Sequence, residues 1–556
     1  MLAKNSSRMR NPSPNHATTV MIPAPAAGMD GLTNMAEQTP ADAVSMINLI
    51  PAPRGSTTRD GSRQWCTGLS SFVKTVIPYI GSVPAQDRLF VTVGDPTIGG
   101  GGIVDCTTSM FNPPTVAVFP LPAFPGPYGN QGIGVWQTFV NTAGAYFCLY
   151  TDEENGYYVY TEATGTWARI TMGGGATQIS GVDPATFVSV LVWKSRVWFV
   201  QKDTAFAWYT AVGALYGAVT AFNFGNKFKH GGSLRAQYNW TVDGGEGVDD
   251  YIVSISGGGD VIVYKGTDPA AAATFAQTGQ YFIGPPPAGR RIAGTFGGDL
   301  YLLSSYGVIA LTQLLSGQLV GETTNLVTRR ISPMINTDMR LYQNQQGWEI
   351  RYLPTQNLLM ITVPKQEGFD YRQYVQHLDT RGWAFYRDFP VFTGDTWHGL
   401  YYFGGNEVFE GAAVLYVHTG NIDRADLDDA ADGDNIDWSM LTSFQDYQEP
   451  AANRVAQLIR ATFIAAASPS YVAVAKYDYD MSEPLEIAFQ APAVSGSLWD
   501  VALWDLGLWG GDVATVNPLR GAGGVGRSMA IYLRGNSATK TMLVRFDATT
   551  ISGNVL

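Results

Sequence analysis

The chain has 556 residues, with 35 Lys and Arg against 47 Asp and Glu, a formal net charge of −12, 63 glycines and 14 tryptophans. Its 15% charged residues fall below the roughly 25% usual in soluble chains, and 12% are aromatic, which excludes a coiled coil, a helical solenoid and disorder throughout and points to an all-β chain rich in hairpins. The acidic balance, without a long Lys/Arg run, argues against a packaging or transcription factor, because non-specific grip on phosphates needs clustered cations; weak contact with passing DNA stays open.

Residues 1–29 hold Lys4, Arg8 and Arg10 among Pro, Ser and Asn, with no apolar core of a signal peptide, and read as a flexible arm. Residues 30–85 read as a docking segment with one short helix at 40–50: Thr39 as cap, Pro40 at its first position, Val44 and Ile47 on one stripe, Pro51 and Pro53 as its stop. From 86 to 422 the chain is a procession of strand, tight polar turn, strand. Turn signals include Glu154-Asn155-Gly156, Gly257-Gly258-Gly259-Asp260 and Pro354-Thr355-Gln356-Asn357. A faint repeat (TGTWARI at 164–170, TRGWAFY at 380–386) and hairpin units spaced about 35–50 residues apart fit the blades of a β-propeller, six to eight in number. Two β-sandwiches in series are the competing architecture. The uncharged stretch 204–226 reads as two buried strands around a glycine turn and not as a membrane span, as Gly213, Gly217 and Gly225 interrupt it. Residues 423–449, with seven Asp between 423 and 437, read as an acidic linker, and 450–556 as a separate C-terminal β domain.

Motifs that carry chemistry fail their context tests. Cys66, Cys106 and Cys148 are few, odd in number and far apart, and the five histidines form no HxxxH, so neither a disulfide scaffold nor a metal or cofactor site is expected. Gly521, Gly523 and Gly526 satisfy GxGxxG, but a strand-like run follows where a dinucleotide site needs a helix. An EF-hand placed on Asp428 and Asp432 finds Ala430 and Ser439 at ligand positions, so a solvated acidic loop is the reading. The turn Asp243–Asp250 leaves adventitious calcium open. Glycoside hydrolysis needs two paired carboxylates, and Glu162, Asp203, Glu349, Asp379 and Asp388 are scattered. No enzymatic centre is expected. Trp499, Trp504 and Trp509 recur every five residues, a period of neither helix nor strand. They suit a ribbon laid against a neighbouring surface, with intradomain core as the equal alternative.

Over 222–315 the runs HGGSL, DGGEGVDDYIV, GDVIVYKGTDP and GRR…GGDLYLLSSYGV resemble tail proteins of short-tailed phages (podoviruses). The front, MDGLTNMAEQTPADAVSMINLIPAPRGSTTRDG (29–61), is similar to the start of phage packaged-DNA stabilisation proteins, and the Trp-Asp ribbon to the last domain of such tail proteins. The resemblance implies a tail nozzle in the virion, assembled in the host cytoplasm: a homohexameric ring built on a β-propeller, below the portal and head-tail adaptor, carrying fibres, spikes or a needle, with double-stranded DNA passing its lumen. It implies no catalytic residues. From charge, Asp423, Asp426, Asp428, Asp429, Asp432, Asp434 and Asp437 are candidate channel-facing acids, with a solvated outer loop as the alternative. The competing function is a receptor-binding or glycan-processing tail protein, in which turn-borne Trp136, Tyr157 and Tyr158 stack on sugars.

Overall fold

Strand takes 55% of the described residues and helix 6% in this computed structural model, which makes the protein all-β. The structure describes residues 17–94, 101–120, 131–243, 248–271, 274–316, 326–366, 370–409, 412–429, 432–447, 452–484, 514–516 and 518–553. They fall into two units: Arg59–Ile436, and a second made from both chain ends, Met1–Thr58 with Asp437–Leu556.

The unit Arg59–Ile436 is a succession of antiparallel meanders, seven among the described residues. Sheet one holds Val73–Tyr79, Arg88–Val93, Gly102–Asp105 and Thr115–Val118; sheet two Gly134–Val140, Tyr146–Asp152, Gly156–Thr161 and Thr166–Arg169. Sheet three holds Phe187–Trp193, Arg196–Gln201, Phe206–Tyr209 and Thr220–Asn223; sheet four Leu234–Asp243, Val248–Ser256, Asp260–Gly266 and Phe275–Phe282. Sheet five has three strands, Ala293–Phe296, Asp299–Ser304 and Gly307–Ala310, followed by the helices α1 (Leu311–Leu315) and α2 (Ser332–Tyr342). Sheet six holds Glu349–Leu353, Leu358–Gln366, Asp370–His377 and Trp383–Tyr386. Sheet seven takes Thr393–Trp397, Leu400–Phe409 and Ala412–His418 from the end of the unit and Ser62–Leu69 from its start.

That last pairing, with His418 opposite Ser62 and Val417 opposite Arg63, closes the circle. The first strand of each sheet touches the first strand of the next, except that Leu234–Asp243 meets both the preceding sheet and the second strand of sheet five; Thr393–Trp397 then touches Val73–Tyr79. Gly61 sits at the seam because the backbone passes too near for a side chain: a Cβ there would lie 1.9 Å from the Ile422 carbonyl oxygen. Beside it the Arg59 guanidinium, wholly buried, grips Asp423 through both carboxylate oxygens, one at 2.6 Å.

Successive sheets pack face to face, so their strands are buried on both sides and read as apolar runs instead of alternating ones. Val73–Tyr79 is buried at every position. Aromatic wedges fill the gaps. Phe90 of sheet one stands at 5.3 Å and 83° to Trp167 of sheet two, Tyr157 at 4.7 Å from Phe199 of sheet three, and Trp198 at 6.2 Å from Phe275 of sheet four. Such aromatic pairs, the first two edge-to-face and the third near-parallel at 25°, add to the area they bury.

In the second unit, Leu49–Ala52, Gly55–Thr58, Thr541–Ser552, Arg454–Ala465 and Ala514–Val516 form one sheet, with Thr18–Pro23 also paired to Thr541–Ser552. Gly28–Met29, Asp42–Ile47, Asp434–Thr442, Met529–Ser537 and Ser470–Tyr477 run in a second. Arg454–Ala465 alternates: Ala456, Ile459, Ala461, Phe463 and Ala465 are buried, Val455, Gln457, Arg460 and Ile464 exposed. Trp438 of the second sheet lies 6.0 Å from Phe463 of the first.

Three expectations are corrected. The helix at 40–50 is two strands, Asp42–Ile47 and Leu49–Ala52. Thr39 does not cap a helix; its N–H and Oγ1 donate to the Asp42 carboxylate at 2.8 and 2.7 Å, forming a turn. Pairing of Ala43 with Thr442 and Ile47 with Ser439 then outweighs a short helix with no partner, and Asn48 at φ 56° divides the strands. The arm is not free from residue 18 on, because Thr18–Pro23 is paired in register from Thr550 to Arg545. The 423–449 segment is not a linker throughout: Asp434–Thr442 is a sheet strand whose Ile436, Trp438 and Met440 are buried. The stretch 204–226 does contain two paired strands, Phe206–Tyr209 and Thr220–Asn223.

Candidate functional site

The inner strands of sheets two to seven enclose a cavity of about 560 Å³ on the axis of the ring. That is within the roughly 300–1,000 Å³ of small-molecule sites. The inner strands of sheets two, four, five and six run from a buried start to a wetter end. Gly134, Gln237 and Arg291 are buried, while Thr138, Asn239, Thr295 and Pro354 are exposed, so the cavity has a closed inner end and a polar mouth.

Charge is concentrated at the inner end and cancels there. Arg351 lies between two carboxylates, with Nε 2.5 Å from Glu349 Oε1 and Nη1 3.3 Å from Asp395 Oδ2. Arg291 stands 3.7 Å from Glu349, donates to Thr393 Oγ1 and donates to the Lys74 carbonyl at 3.3 Å. Arg290 turns the other way, to Glu153 at 2.6 Å and the Arg235 carbonyl at 2.6 Å. Asp395 also accepts from Trp136 Nε1 at 3.3 Å and from the Thr396 N–H at 2.8 Å. Burial pushes the Asp395 carboxyl up, against the pull of Arg351. Burial acts to lower Arg351, but the Asp395 and Glu349 carboxylates outweigh it and hold the guanidinium above its usual range. Two carboxylates matched by two guanidinium groups, Arg351 and Arg291, are a charge-balanced support and lack the free acid and base of a hydrolase.

One polar atom is left over. Gln237, 3% exposed, donates from Nε2 to Ser254 Oγ at 3.0 Å, while its Oε1 accepts from no group. A buried carbonyl oxygen without a donor costs about 1–3 kcal/mol. Gln237 belongs to the cavity wall, with this oxygen itself sealed from the cavity.

Of the five scattered carboxylates only Glu349 is at the inner end of this cavity. Glu162 accepts from Tyr79 Oη at 2.6 Å and the Ser82 N–H at 2.9 Å, Asp379 accepts from Asn357 Nδ2 at 2.9 Å, and Asp203 and Asp388 occupy positive-φ turn positions at 56° and 55°. Trp136 lines the cavity from a strand and not from a turn. Tyr157 and Tyr158 are corrected: they lie in the inter-sheet core at 0% and 1% exposure and present no face to a sugar. Asp423 is likewise no channel-facing acid, as Arg59 holds it buried. Asp428, Asp429, Asp432, Asp434 and Asp437 are exposed and Asp426 partly so. Arg424 pairs with Asp434 at 3.1 Å, and Asp437 accepts from Asn536 Nδ2 at 2.5 Å. Trp499, Trp504 and Trp509 lie outside the described residues. Gly521, Gly523 and Gly526 fall between strands Leu519–Gly521 and Met529–Ser537, not before a helix. Cys66, Cys106 and Cys148 are free and buried. Among the described residues no group of three or more His, Cys, Asp or Glu is placed to hold a metal, and no helix is long and apolar enough to cross a membrane.

Sequence reasoning missed Arg351, Asp395 and Gln237. The legible signal was polar side chains at the starts of blade-length units, such as WEIRYL at 348–353 and TGDTW at 393–397, where an inner strand needs only apolar residues.

No family model and no curated protein matches the chain. Among solved structures, the computationally designed Ika8 protein overlaps 64% of this chain and 99% of its own at 9% identity and a TM-score of 0.32. The Pan2 WD40 domain of Neurospora crassa overlaps 66% of this chain and 97% of its own at 12% identity and a TM-score of 0.35. Both overlaps are loose, and the architecture rests on the strand pairing alone.

Proposed function

We propose that this chain is a structural virion protein, the tail nozzle of a short-tailed phage. Its copies, six by the resemblance, surround the DNA exit channel below the portal and adaptor, hold the packaged genome and carry fibre, spike or needle proteins. In this reading Arg59–Ile436 is a seven-bladed β-propeller, and the two chain ends build an additional β domain after the pattern expected for the C-terminal region. The observation that carries the reading is where the resembling runs fall. GDVIVYKG is strand Asp260–Gly266, DLYLLS is strand Asp299–Ser304, and the Gly-Arg-Arg run supplies Arg290 and Arg291 to the ion pairs that join sheets. These residues serve the build of a rigid ring. The charge-cancelled axial network supports a part without catalysis. Six acids of the 423–437 run, Asp423 excepted, remain the candidates for a lumen wall. Like charge there keeps a duplex off the surface over about one Debye length, ~8 Å at physiological salt.

Native mass of the purified chain, with class averages of the assembled particle, tests this. A six-fold ring with a central hole is expected, and the same density at the tail of a virion. A trimer that degrades polysaccharide would replace the nozzle with the receptor-binding or glycan-processing reading.

A further inference from the structure

We infer that the axial cavity of the Arg59–Ile436 unit is a binding site for a small neutral saccharide. This goes beyond the nozzle reading and does not depend on it, since every residue concerned belongs to one copy.

Charge comes first. The guanidinium groups at the inner end, Arg291 and Arg351, are matched by Glu349 and Asp395 at 3.7, 2.5 and 3.3 Å. A guest carrying net charge would meet a counter-charge already engaged, and would have to break a buried pair, which is strongly unfavourable. A neutral guest leaves the network intact.

Polarity comes second. At its mouth the cavity offers the hydroxyls of Thr138 and Thr295 and the amide oxygen of Asn239, whose Nδ2 donates to the Val192 carbonyl at 2.6 Å. Donors and acceptors on all sides suit a molecule that is both at every position, as a sugar hydroxyl is.

Shape comes third. Trp136 is held by its Nε1 bond to Asp395, which fixes the plane of the indole. Tyr352 is backed by Phe296, near-parallel at 23° and 5.7 Å between ring centres. Both aromatic side chains line the cavity. A fixed aromatic face takes the apolar C–H face of a pyranose, while the ring's hydroxyls point to the polar groups at its edges. The pieces of a sugar site are thus assembled without the free acid and base that would cleave one.

The test uses the full chain and four probes: glucose, galactose, N-acetylglucosamine and maltose. Saturation-transfer NMR and titration calorimetry read binding, with citrate and glycine betaine as charged and zwitterionic comparison probes. At least one saccharide is expected to bind with a Kd of about 1 mM or tighter. Trp136→Ala should weaken it by about tenfold or more, as should the double variant Thr138→Val, Thr295→Val at the exposed mouth. Tyr306→Ala, on an exposed turn, should change nothing. No transfer from any of the four saccharides would overturn the inference. So would preferential binding of citrate or betaine, or saccharide binding that survives the mouth variant.

Discussion

The seam of the ring is held by a contact whose loss can be measured. Arg59 is wholly buried, bonds both oxygens of Asp423, donates to the Asp60 carbonyl at 3.0 Å and stacks 4.9 Å above the Phe389 ring. Asp423→Asn keeps the size of the side chain and removes the charge. The guanidinium then stays buried without its counter-ion, a loss of about 3–5 kcal/mol. At about 2.1 cal/mol/K per residue, a unit of this length gains about 0.8 kcal/mol/K at its midpoint, so Tm should fall by about 4–6 °C. Differential scanning calorimetry reads the shift, with Asp428→Asn, on the exposed part of the same run, as a control expected to leave Tm in place. The double variant Arg59→Met, Asp423→Leu should recover most of the loss, because burying an apolar pair avoids the desolvation of two ions. An Asp423→Asn protein that melts with the parent chain would refute the reasoning and return Asp423 to the set of solvated acids.

Other consequences follow from single side chains. Tyr157 is fully buried with no partner for its hydroxyl, so Tyr157→Phe should stabilise the unit by about 1 kcal/mol, seen as a higher urea midpoint; a clear loss would reveal a partner for that oxygen. Asp152 is buried, and although Gly132, Glu154 and Asn155 N–H groups donate to it, burial pushes its carboxyl from 3.8 up to about 6. The folded state therefore holds this proton longer than the unfolded one, and the stability it contributes is full below about 4 and lost as pH rises through about 6. A carboxyl titration by carbon-13 NMR should find that midpoint, and one below 4 would show that the hydrogen bonds win. Burial holds Cys106 and Cys148 as thiols well above their ordinary range, so an aromatic disulfide reagent should label neither until the chain is unfolded; rapid labelling of the native protein would contradict their packing. The five-residue spacing of Trp499, Trp504 and Trp509 leads us to expect that Trp504→Ala lowers the share of assembled rings and leaves the thermal transition of the single chain nearly unchanged, whereas loss of the fold would make these residues core.

What the sequence determined by itself was the class: glycine-punctuated runs of Val, Ile, Tyr, Phe and Trp, too short between turn signals for long helices, favour strands. It also argued against the dinucleotide and EF-hand sites, since each needs a particular element or ligand at a particular offset. Long-range pairing was beyond it. Ser62–Leu69 reads like any strand, and only its register with Ala412–His418 makes it the closing strand of the ring. Val44 and Ile47 make a helical stripe as well as a strand face, and the partner Asp434–Thr442, some 400 residues on by the register of Ala43 with Thr442, decides between them. The same holds for charge. Asp423 and Asp428 are alike in a run of aspartates, yet one meets Arg59 in the interior and the other meets water. The axial site was the least legible, because Trp136, Gln237, Arg351 and Asp395 come from four different sheets and become neighbours only when the circle closes. Local chemistry sets which strands form; the sum of many weak, distant contacts sets which of them meet.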